Sequence, residues 1–230
     1  MTPTPPTARV LAQLAPLPRA FYARDPRTVA RELLGKLLIR RHLGPIPPRL
    51  GKGAERTLLA GRIVEAEAYL GALDPGAHAF GGQTPRNAVL FGPPGHAYVY
   101  FIYGNHYCTN VSCQPAGDAS CVLLRALEPV CGLSAMAALR GLTLPDHPRP
   151  SQLRLLTSGP GRLSASLAIT RARDNATDLC SPHGDLYLAD DGAPEAPISA
   201  TPRINVTRAP HDPWRFFVTG NPFVSGKKLR

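Results

Sequence analysis

The sequence predicts a single α+β domain with antiparallel pairing in at least part of its sheet. Its 230 residues fit one large domain or two small ones, and no clear boundary divides them. The 21 glycines and 26 prolines supply too many turns for a helical bundle. Short apolar runs typical of strands are interspersed with segments of helical periodicity. Together these features favour short strands, many loops and a few helices.

The N-terminal part divides into a tail and the first elements of the domain. Residues 1–18 are rich in proline and are predicted to form a flexible tail, which leaves 19–230 as the domain. Apolar residues at i, i+3 and i+4 spacing predict a helix that starts at residue 27 and ends near Gly35. A strand is expected over 36–41.

The middle of the chain carries the clearest local signals. Residues 58–69 read as a strand, and the Gly- and Pro-rich segment 71–96 reads as a long connection of the kind that is often functional. Two strand-like runs, 97–103 and 106–112, are separated only by Gly104-Asn105. This spacing predicts a hairpin with a two-residue turn.

The C-terminal half is predicted to mix strands and helices. A strand over 120–127 is followed by a helix over 131–142 and a loop. A second helix is expected over 158–170, with Ser158 near its N-cap and Pro160 in its first turn. Short strands are then expected at 185–190, 201–207 and 215–220.

The composition favours a nucleic-acid partner. Lys and Arg number 26 against 16 Asp and Glu, a net charge of +10, which suits a polyanion. No run reaches the roughly 18 apolar residues of a membrane span, and the basic residues are dispersed, so a membrane surface is the weaker alternative. The N-terminus does not resemble a signal peptide, and the five cysteines include no C-x-x-C pair. We therefore expect a cytoplasmic protein with free thiols.

Glu65, Glu67 and Tyr69 alternate along the predicted strand over 58–69. Period-2 alternation places the three side chains on one face of that strand. Two carboxylates beside an aromatic ring could form an acid/base site. A solvated outer strand face is the alternative, because exposed glutamates are common.

Arg125 lies inside the apolar run VLLRAL. A charged side chain there must reach water at a strand edge or pair with an anion, since an unpaired buried charge is costly. Glu67 is a candidate partner, and a neighbouring arginine would keep that carboxylate ionised, as a general base must be. A purely structural ion pair is the alternative.

Two further segments could contact nucleic acid. Tyr103 precedes the predicted turn and would sit at the tip of the hairpin, where it could stack on bases, wedge between them or pack onto the domain. His78 lies in a Gly-rich loop and could contact nucleic acid. The alternative is an ordinary surface histidine with no such role. Thr84 and Arg86 follow and could contact phosphates.

No metal or cofactor is predicted. Carboxylates and His78 occur close together in the sequence, but they lack the tight spacing of known ligand motifs. The glycine motifs of nucleotide-binding loops are absent as well.

Five segments of the chain form an ordered set of long motifs. They are GRIVEAEAYLG (61–71), DPGAHAFGGQTPRN (74–87), GPPGHAYVYFIYGNHYCTNVS (92–112), CVLLRALEP (121–129) and SGPGRLSASLAI (158–169). Together they strongly resemble the alkyladenine DNA glycosylases, the 3-methyladenine glycosylases of the mammalian type that also occur in bacteria. The likeness runs from about Tyr22 to about Ser225, and motifs of this length and order are very specific.

The resemblance implies a fold and an activity. The fold would be a compact domain with a curved antiparallel sheet, a protruding hairpin and surrounding helices, like the C-terminal domain of a formyltransferase. The activity would be hydrolytic excision of alkylated or deaminated purines from duplex DNA by a monomer. No lysine occurs in the matched segments, so neither a Schiff base nor strand cleavage is expected. A non-catalytic DNA-binding or RNA-binding module on the same fold is the alternative.

The resemblance also implies residue roles at the reacting centre. Glu67 corresponds to the general base that activates water, and Arg125 corresponds to the arginine that holds the water and the glutamate. Ile204 corresponds to the residue whose backbone carbonyl contacts that water. Asn205 departs from the family, which often has glycine at this position.

Other roles concern the base and the DNA. Tyr69, His78 and Tyr100 correspond to the walls of the pocket for the flipped base. Asn110 corresponds to the asparagine that discriminates against the amino group of guanine. Tyr103 corresponds to the tyrosine that enters the minor groove and fills the gap left by the flipped nucleotide.

Overall fold

A single antiparallel sheet organises the chain. The structure, a computed structural model, describes residues 6–42 and 57–226. Within those ranges it contains eight strands: β1 (Leu37–Arg40), β2 (Leu59–Tyr69), β3 (Ala97–Ile102), β4 (His106–Cys113), β5 (Ser120–Cys131), β6 (Leu186–Ala189), β7 (Ile198–Thr201) and β8 (Arg215–Val218). The predicted α+β class is confirmed.

Seven α-helices and two short 3₁₀ segments surround the sheet in the described part of the chain. The helices are α1 (Ala8–Gln13), α2 (Arg19–Tyr22), α3 (Pro26–Leu33), α4 (Leu133–Leu139), α5 (Pro150–Thr157), α6 (Pro160–Ser166) and α7 (Arg171–Asp174). The 3₁₀ segments, Gly71–Leu73 and Ala88–Phe91, lie within the long connection between β2 and β3. None of the described helices is long and apolar enough to cross a membrane.

The strand order places β2 in the middle of the molecule. The sheet runs β3-β4-β5-β2-β1-β6, and β8 pairs with the C-terminal part of β2 and with β7. The β2–β5 ladder shifts register near Ala60, Ile63 and Glu65, and such bulges bend a strand and re-aim its side chains. Ala66 and Ala68 pack in the main core, whereas Glu65 and Glu67, which alternate with them, belong to the opposite face.

Three predicted elements need correction. The hairpin turn has three residues rather than two, because Tyr103 and Gly104 both adopt positive φ (53° and 71°) and Ile102 pairs with His106. The strand predicted over 201–207 ends at Thr201. Beyond it the chain turns at Asn205, which also has positive φ. Helix α5 was not predicted, and the helix expected from residue 158 begins at Pro160, after Gly159 as its N-cap.

The predicted flexible tail is ordered from residue 6 onward. Helix α1 buries Leu11 completely against β1 and β6, and Leu17 N–H donates to the Leu188 carbonyl. Pro16 also bridges to Ala189 at the β6 edge of the sheet. The segment thereby covers a strand edge that would otherwise be open to pairing with another chain. Residues 1–5 of the predicted tail lie outside the described part.

This packing makes the N-terminal segment part of the domain's stability. We expect Leu11→Ala to lower the free energy of unfolding by about 2 kcal/mol, the lower end for a buried leucine, because a terminal segment can relax into the cavity. Val10→Ala is the matched control, since Val10 is exposed and should change stability by less than about 0.5 kcal/mol. Urea denaturation of both variants measures the difference. Equal, negligible losses would show that α1 does not pack as described.

Candidate active site

A cavity of about 590 Å³ opens where the end of β2, the β3–β4 hairpin, the start of α6 and residues 204–208 meet. Tyrosine and histidine rings form much of its wall, and the residues 102–103 of the hairpin reach its mouth. The sequence-predicted residues that line it are Tyr69, His78, Tyr100, Tyr103, Asn110, Arg125 and Ile204.

Glu67 lies next to this cavity with no exposed surface, held by three hydrogen bonds. Oε2 accepts from the Tyr69 hydroxyl at 2.9 Å and from Arg125 Nη1 at 3.1 Å. Oε1 accepts from the backbone N–H of Ile204 at 2.7 Å. All three groups are hydrogen-bond donors, and each is matched to an acceptor oxygen of the side chain. The alternative of a solvated strand face is wrong, because Glu65 and Glu67 are both fully buried.

One acceptor position of Glu67 has no protein donor. A carboxylate offers about four acceptor positions, two on each oxygen. Among the described residues, two donors use Oε2, whereas Oε1 receives the Ile204 N–H alone. The open acceptor position therefore lies on Oε1, the oxygen that faces residue 204.

Arg125 bridges the two carboxylates of β2, as the sequence predicted for Glu67. Its Nε donates to Glu65 Oε1 at 3.0 Å, and its Nη1 donates to Glu67. Burial alone would lower the pKa of Arg125, but the carboxylates of Glu67 and Glu65 outweigh it and raise the pKa. Glu65 is also held by Arg215 Nε at 2.6 Å and by the N–H of Ser225 at 2.6 Å. Two carboxylates thus share two guanidinium groups, which keeps this buried region neutral overall.

Tyr69 presents its ring to the cavity and its hydroxyl to Glu67. Burial and the adjacent Glu67 carboxylate raise the pKa of Tyr69 far above its usual value. The phenol therefore stays protonated at any ordinary pH and remains a donor to Glu67.

Three rings form a second wall. The His78 ring lies 4.5 Å from the Tyr100 ring in an edge-on arrangement, and His78 Nδ1 is 3.0 Å from the Tyr98 hydroxyl. Burial, with a smaller contribution from the charge of Arg86, lowers the pKa of His78, so this imidazole is neutral at pH 7. Burial raises the pKa of Tyr98 to about 12 and that of Tyr100 further. The wall is thus aromatic and uncharged.

Asn110 and Tyr103 both line the cavity but differ in exposure. Asn110 is buried, and its Nδ2 donates to the Tyr98 carbonyl at 3.0 Å, which fixes the amide in one orientation. Tyr103 is 75% exposed and projects from the hairpin turn at the mouth. A large exposed ring on a non-glycine residue with positive φ is unusual, and strain of this kind is concentrated at functional sites.

Comparison with known proteins identifies the family of this chain. The methylpurine-DNA glycosylase (MPG) family matches residues 20–222. The chain belongs to the methylpurine-DNA glycosylase family. A relative from Koribacter versatilis named "Putative 3-methyladenine DNA glycosylase" is 58% identical over 95% of this chain and 97% of its own length. Relatives of the same name from Burkholderia lata and Rhodopseudomonas palustris are each 45% identical, over 94% and 97% of this chain and 94% and 95% of their own lengths.

Membership of this family makes the protein a DNA glycosylase, a hydrolase of N-glycosyl bonds that acts in the repair of damaged DNA. The resemblance drawn from the sequence is thereby confirmed. The departure of this glycosylase at Asn205 also has a physical explanation. Asn205 has φ 59°, a left-handed conformation that glycine adopts freely and that asparagine tolerates better than most other residues.

Two predicted DNA-contacting residues of this glycosylase lie outside the cavity lining. Thr84 is exposed, and its hydroxyl and N–H both bond to Asn87 Oδ1 in a tight turn. Arg86 is exposed as well, with its guanidinium 5.5 Å from the Tyr100 ring centre. Both therefore face the surface beside the aromatic wall, where they can reach solvent-exposed ligands.

The sequence reasoning missed several residues of the glycosylase site. Tyr98 belongs to the aromatic wall, and Arg162 and Arg208 lie at the cavity surface. Asp74 and Arg203 form a buried ion pair behind Tyr69. Tyr98, Asp74 and Arg162 lie inside the matched segments, and Arg203 directly precedes Ile204, so their positions in the sequence were the available signal. In the part of the chain that the structure describes, no group of three His, Cys, Asp or Glu side chains could hold a metal ion.

Proposed function

We propose that this glycosylase removes alkylated and deaminated purines, of the 3-methyladenine and hypoxanthine types, from duplex DNA with a water molecule that Glu67 activates. The observation that supports the proposal best is the fully buried Glu67, held by three donors beside a cavity walled with rings. The enzyme would act as a monomer on DNA, because one chain supplies every wall of the cavity.

The base must leave the helix before it can be hydrolysed. C1′ of a stacked nucleotide is inaccessible, and flipping the nucleotide costs a few kcal/mol, less when the base is damaged or mispaired. Tyr103 would offset part of this cost by entering the space that the base vacates. The net charge of +10 supplies phosphate binding that is independent of sequence and weakens as salt rises.

The cavity walls suit purines that carry a positive charge. Tyr69 and Tyr100 would face the flipped base, and neutral aromatic rings attract a cationic purine by roughly 0.5–2 kcal/mol. His78 adds no competing charge at pH 7, since its pKa is lowered. Asn110, whose amide the Tyr98 carbonyl holds in one orientation, would discriminate against the exocyclic amino group of guanine.

Hydrolysis follows from the position of Glu67. Water at Oε1 donates a proton to the carboxylate while its oxygen bonds to C1′, and the C1′–N9 bond breaks with its electron pair moving to the purine. Positive charge develops on the sugar in such a transition state, and the Glu67 carboxylate stabilises it. Arg125 and Tyr69 hold Oε2, so Oε1 keeps a fixed direction toward the water. Among the residues that the structure describes, no lysine lines the cavity, so we expect no Schiff base between the sugar and an amine there.

Base release from defined duplexes tests the proposal. We expect release of hypoxanthine and 3-methyladenine from duplexes with a single lesion, with chelator present, and no comparable release from an undamaged duplex. The abasic strand should stay intact until it is treated with alkali. Tight binding to every duplex without base release would contradict the proposal, and so would strand cleavage without alkali or a preference for single-stranded RNA.

A further inference from the structure

We propose that Arg203, held by Asp74, is a positioning residue that sets two of the three hydrogen-bond donors on Glu67. The inference rests on the proposed role of Glu67 and extends it to two residues that touch neither the base nor the sugar.

Arg203 is almost completely buried, yet its guanidinium is fixed on several sides. Its Nη2 donates to Asp74 Oδ1 at 2.8 Å, and its Nη1 donates to Asp74 Oδ2 and to the Ala68 carbonyl at 3.1 Å. The guanidinium carbon lies 4.6 Å from the Tyr69 ring centre and 4.9 Å from that of Trp214. An arginine that forms a bidentate ion pair and packs between two aromatic rings has little freedom to move.

The first donor controlled by Arg203 is the Tyr69 hydroxyl. Arg203 binds the backbone of Ala68, the residue just before Tyr69, and packs against the Tyr69 ring itself. Arg203 is absent from the cavity lining whereas Tyr69 is part of it, so the guanidinium supports the ring from the protein side. The direction in which the hydroxyl meets Glu67 therefore depends on Arg203.

The second donor is the backbone N–H of Ile204, the next residue in the chain. Ile204 lies in the turn after β7, outside any strand, so no sheet ladder fixes its direction. The Arg203 side chain anchors this turn to Asp74 and to the end of β2. The Ile204 N–H then meets Glu67 Oε1, the same oxygen that has the open acceptor position.

Asp74 is the fixed end of this arrangement. It also accepts hydrogen bonds from the N–H groups of Gly76 and Leu70, so its carboxylate is locked within its own loop. Gly76 packs so closely that an added Cβ would lie 2.6 Å from Val206 Cγ1 and 3.0 Å from Arg203 Nη2. The loop that carries His78 and the turn that carries Ile204 are thus held together through Arg203.

A second buried pair offers a matched control. Arg40 and Asp174 are also buried, joined at 2.7 Å, and Arg40 Nε donates to the Leu167 carbonyl. This pair contacts none of the groups that donate to Glu67. Asp74→Asn and Asp174→Asn are the same chemical change in comparable surroundings, and each leaves a buried arginine without its anion.

The test is the single-turnover rate of hypoxanthine release, measured per folded protein together with the protein concentration that gives half of the maximal rate. We expect Asp74→Asn to lower the rate about 10-fold, as small misplacements of reacting groups do, with little change in the half-saturating concentration. Arg203→Lys keeps the positive charge but loses the bidentate pairing with Asp74. Its single-turnover rate should lie between that of Asp74→Asn and that of the wild type. Asp174→Asn should lose stability but keep the wild-type rate.

A double variant separates this inference from the proposed function. Glu67→Gln combined with Asp74→Asn should be no slower than Glu67→Gln alone, because Asp74 acts through Glu67. Equal rate losses in Asp74→Asn and Asp174→Asn would overturn the inference. So would a double variant whose rate is about 10-fold below that of Glu67→Gln alone. If Glu67→Gln alone kept the wild-type rate, the proposed role of Glu67 itself would be wrong, whatever the Asp74 variants show.

Discussion

Glu67→Gln should slow base release from a hypoxanthine duplex by about 100- to 10,000-fold, the usual contribution of a general base. Glutamine has nearly the same shape but cannot take a proton from water. It also has an NH₂ group where the carboxylate has an acceptor oxygen, so that group must face either Ile204 N–H or the donors Tyr69 and Arg125. We expect this mismatch to cost about 1–3 kcal/mol of stability.

The rate loss must be separated from the loss of stability. Glu32→Gln is the matched control, since Glu32 is partly exposed and its one ion pair in the described part of the chain is with Arg24, so its rate should stay at the wild-type value. Glu67→Gln should also keep its affinity for a duplex with an abasic-site analogue, because Glu67 touches no phosphate or base in the proposed mechanism. Equal release rates for Glu67→Gln and wild type would remove Glu67 from its role.

Tyr103→Ala should weaken binding to a lesion-containing duplex by about 100-fold. Loss of an aromatic contact with bases costs roughly 1–3 kcal/mol, and the unstacking that Tyr103 offsets would add to it. The substitution leaves the turn itself little changed, because alanine and tyrosine meet a similar penalty at the positive φ of this position. Fluorescence anisotropy with a duplex carrying an abasic-site analogue measures the change.

Phe101→Ala is the control for this effect. Phe101 lies on the same hairpin and is 45% exposed, but its ring packs 5.0 Å from Tyr107 and does not line the cavity. It should change affinity by only a few-fold. If both variants lost affinity equally, the hairpin would contribute general apolar contact rather than a specific wedge at the flipped nucleotide.

Local patterns predicted the central strands and the acid at their centre. The alternation of residues 65–69 and the apolar run around Arg125 each predict a strand, and one charged residue in such a run requires a partner. That requirement made Glu67 a candidate partner of Arg125, and their 3.1 Å contact confirms the pairing. The burial of Glu65 could not be decided locally, because β8 and the segment around Ser225 enclose it from far along the chain.

Two of the misjudged regions share one physical cause. The segment after Thr201 contains β-branched residues and reads as a strand, yet its backbone turns because Ile204 N–H binds Glu67 and Asn205 adopts positive φ. Tyr103 likewise adopts a backbone conformation that its side chain disfavours. At functional sites, local preference commonly gives way to long-range contacts, and sequence patterns carry no information about those contacts.

The direct test of the central claim is a crystal structure of the enzyme with a duplex that holds a cationic pyrrolidine analogue of the abasic sugar. We predict that an ordered water will lie within hydrogen-bond distance of Glu67 Oε1, beside residue 204 and facing the ring position that corresponds to C1′. Tyr103 should fill the gap in the helix. A sugar analogue bound away from Glu67, or a Glu67 that stays sealed from both water and analogue, would contradict the account.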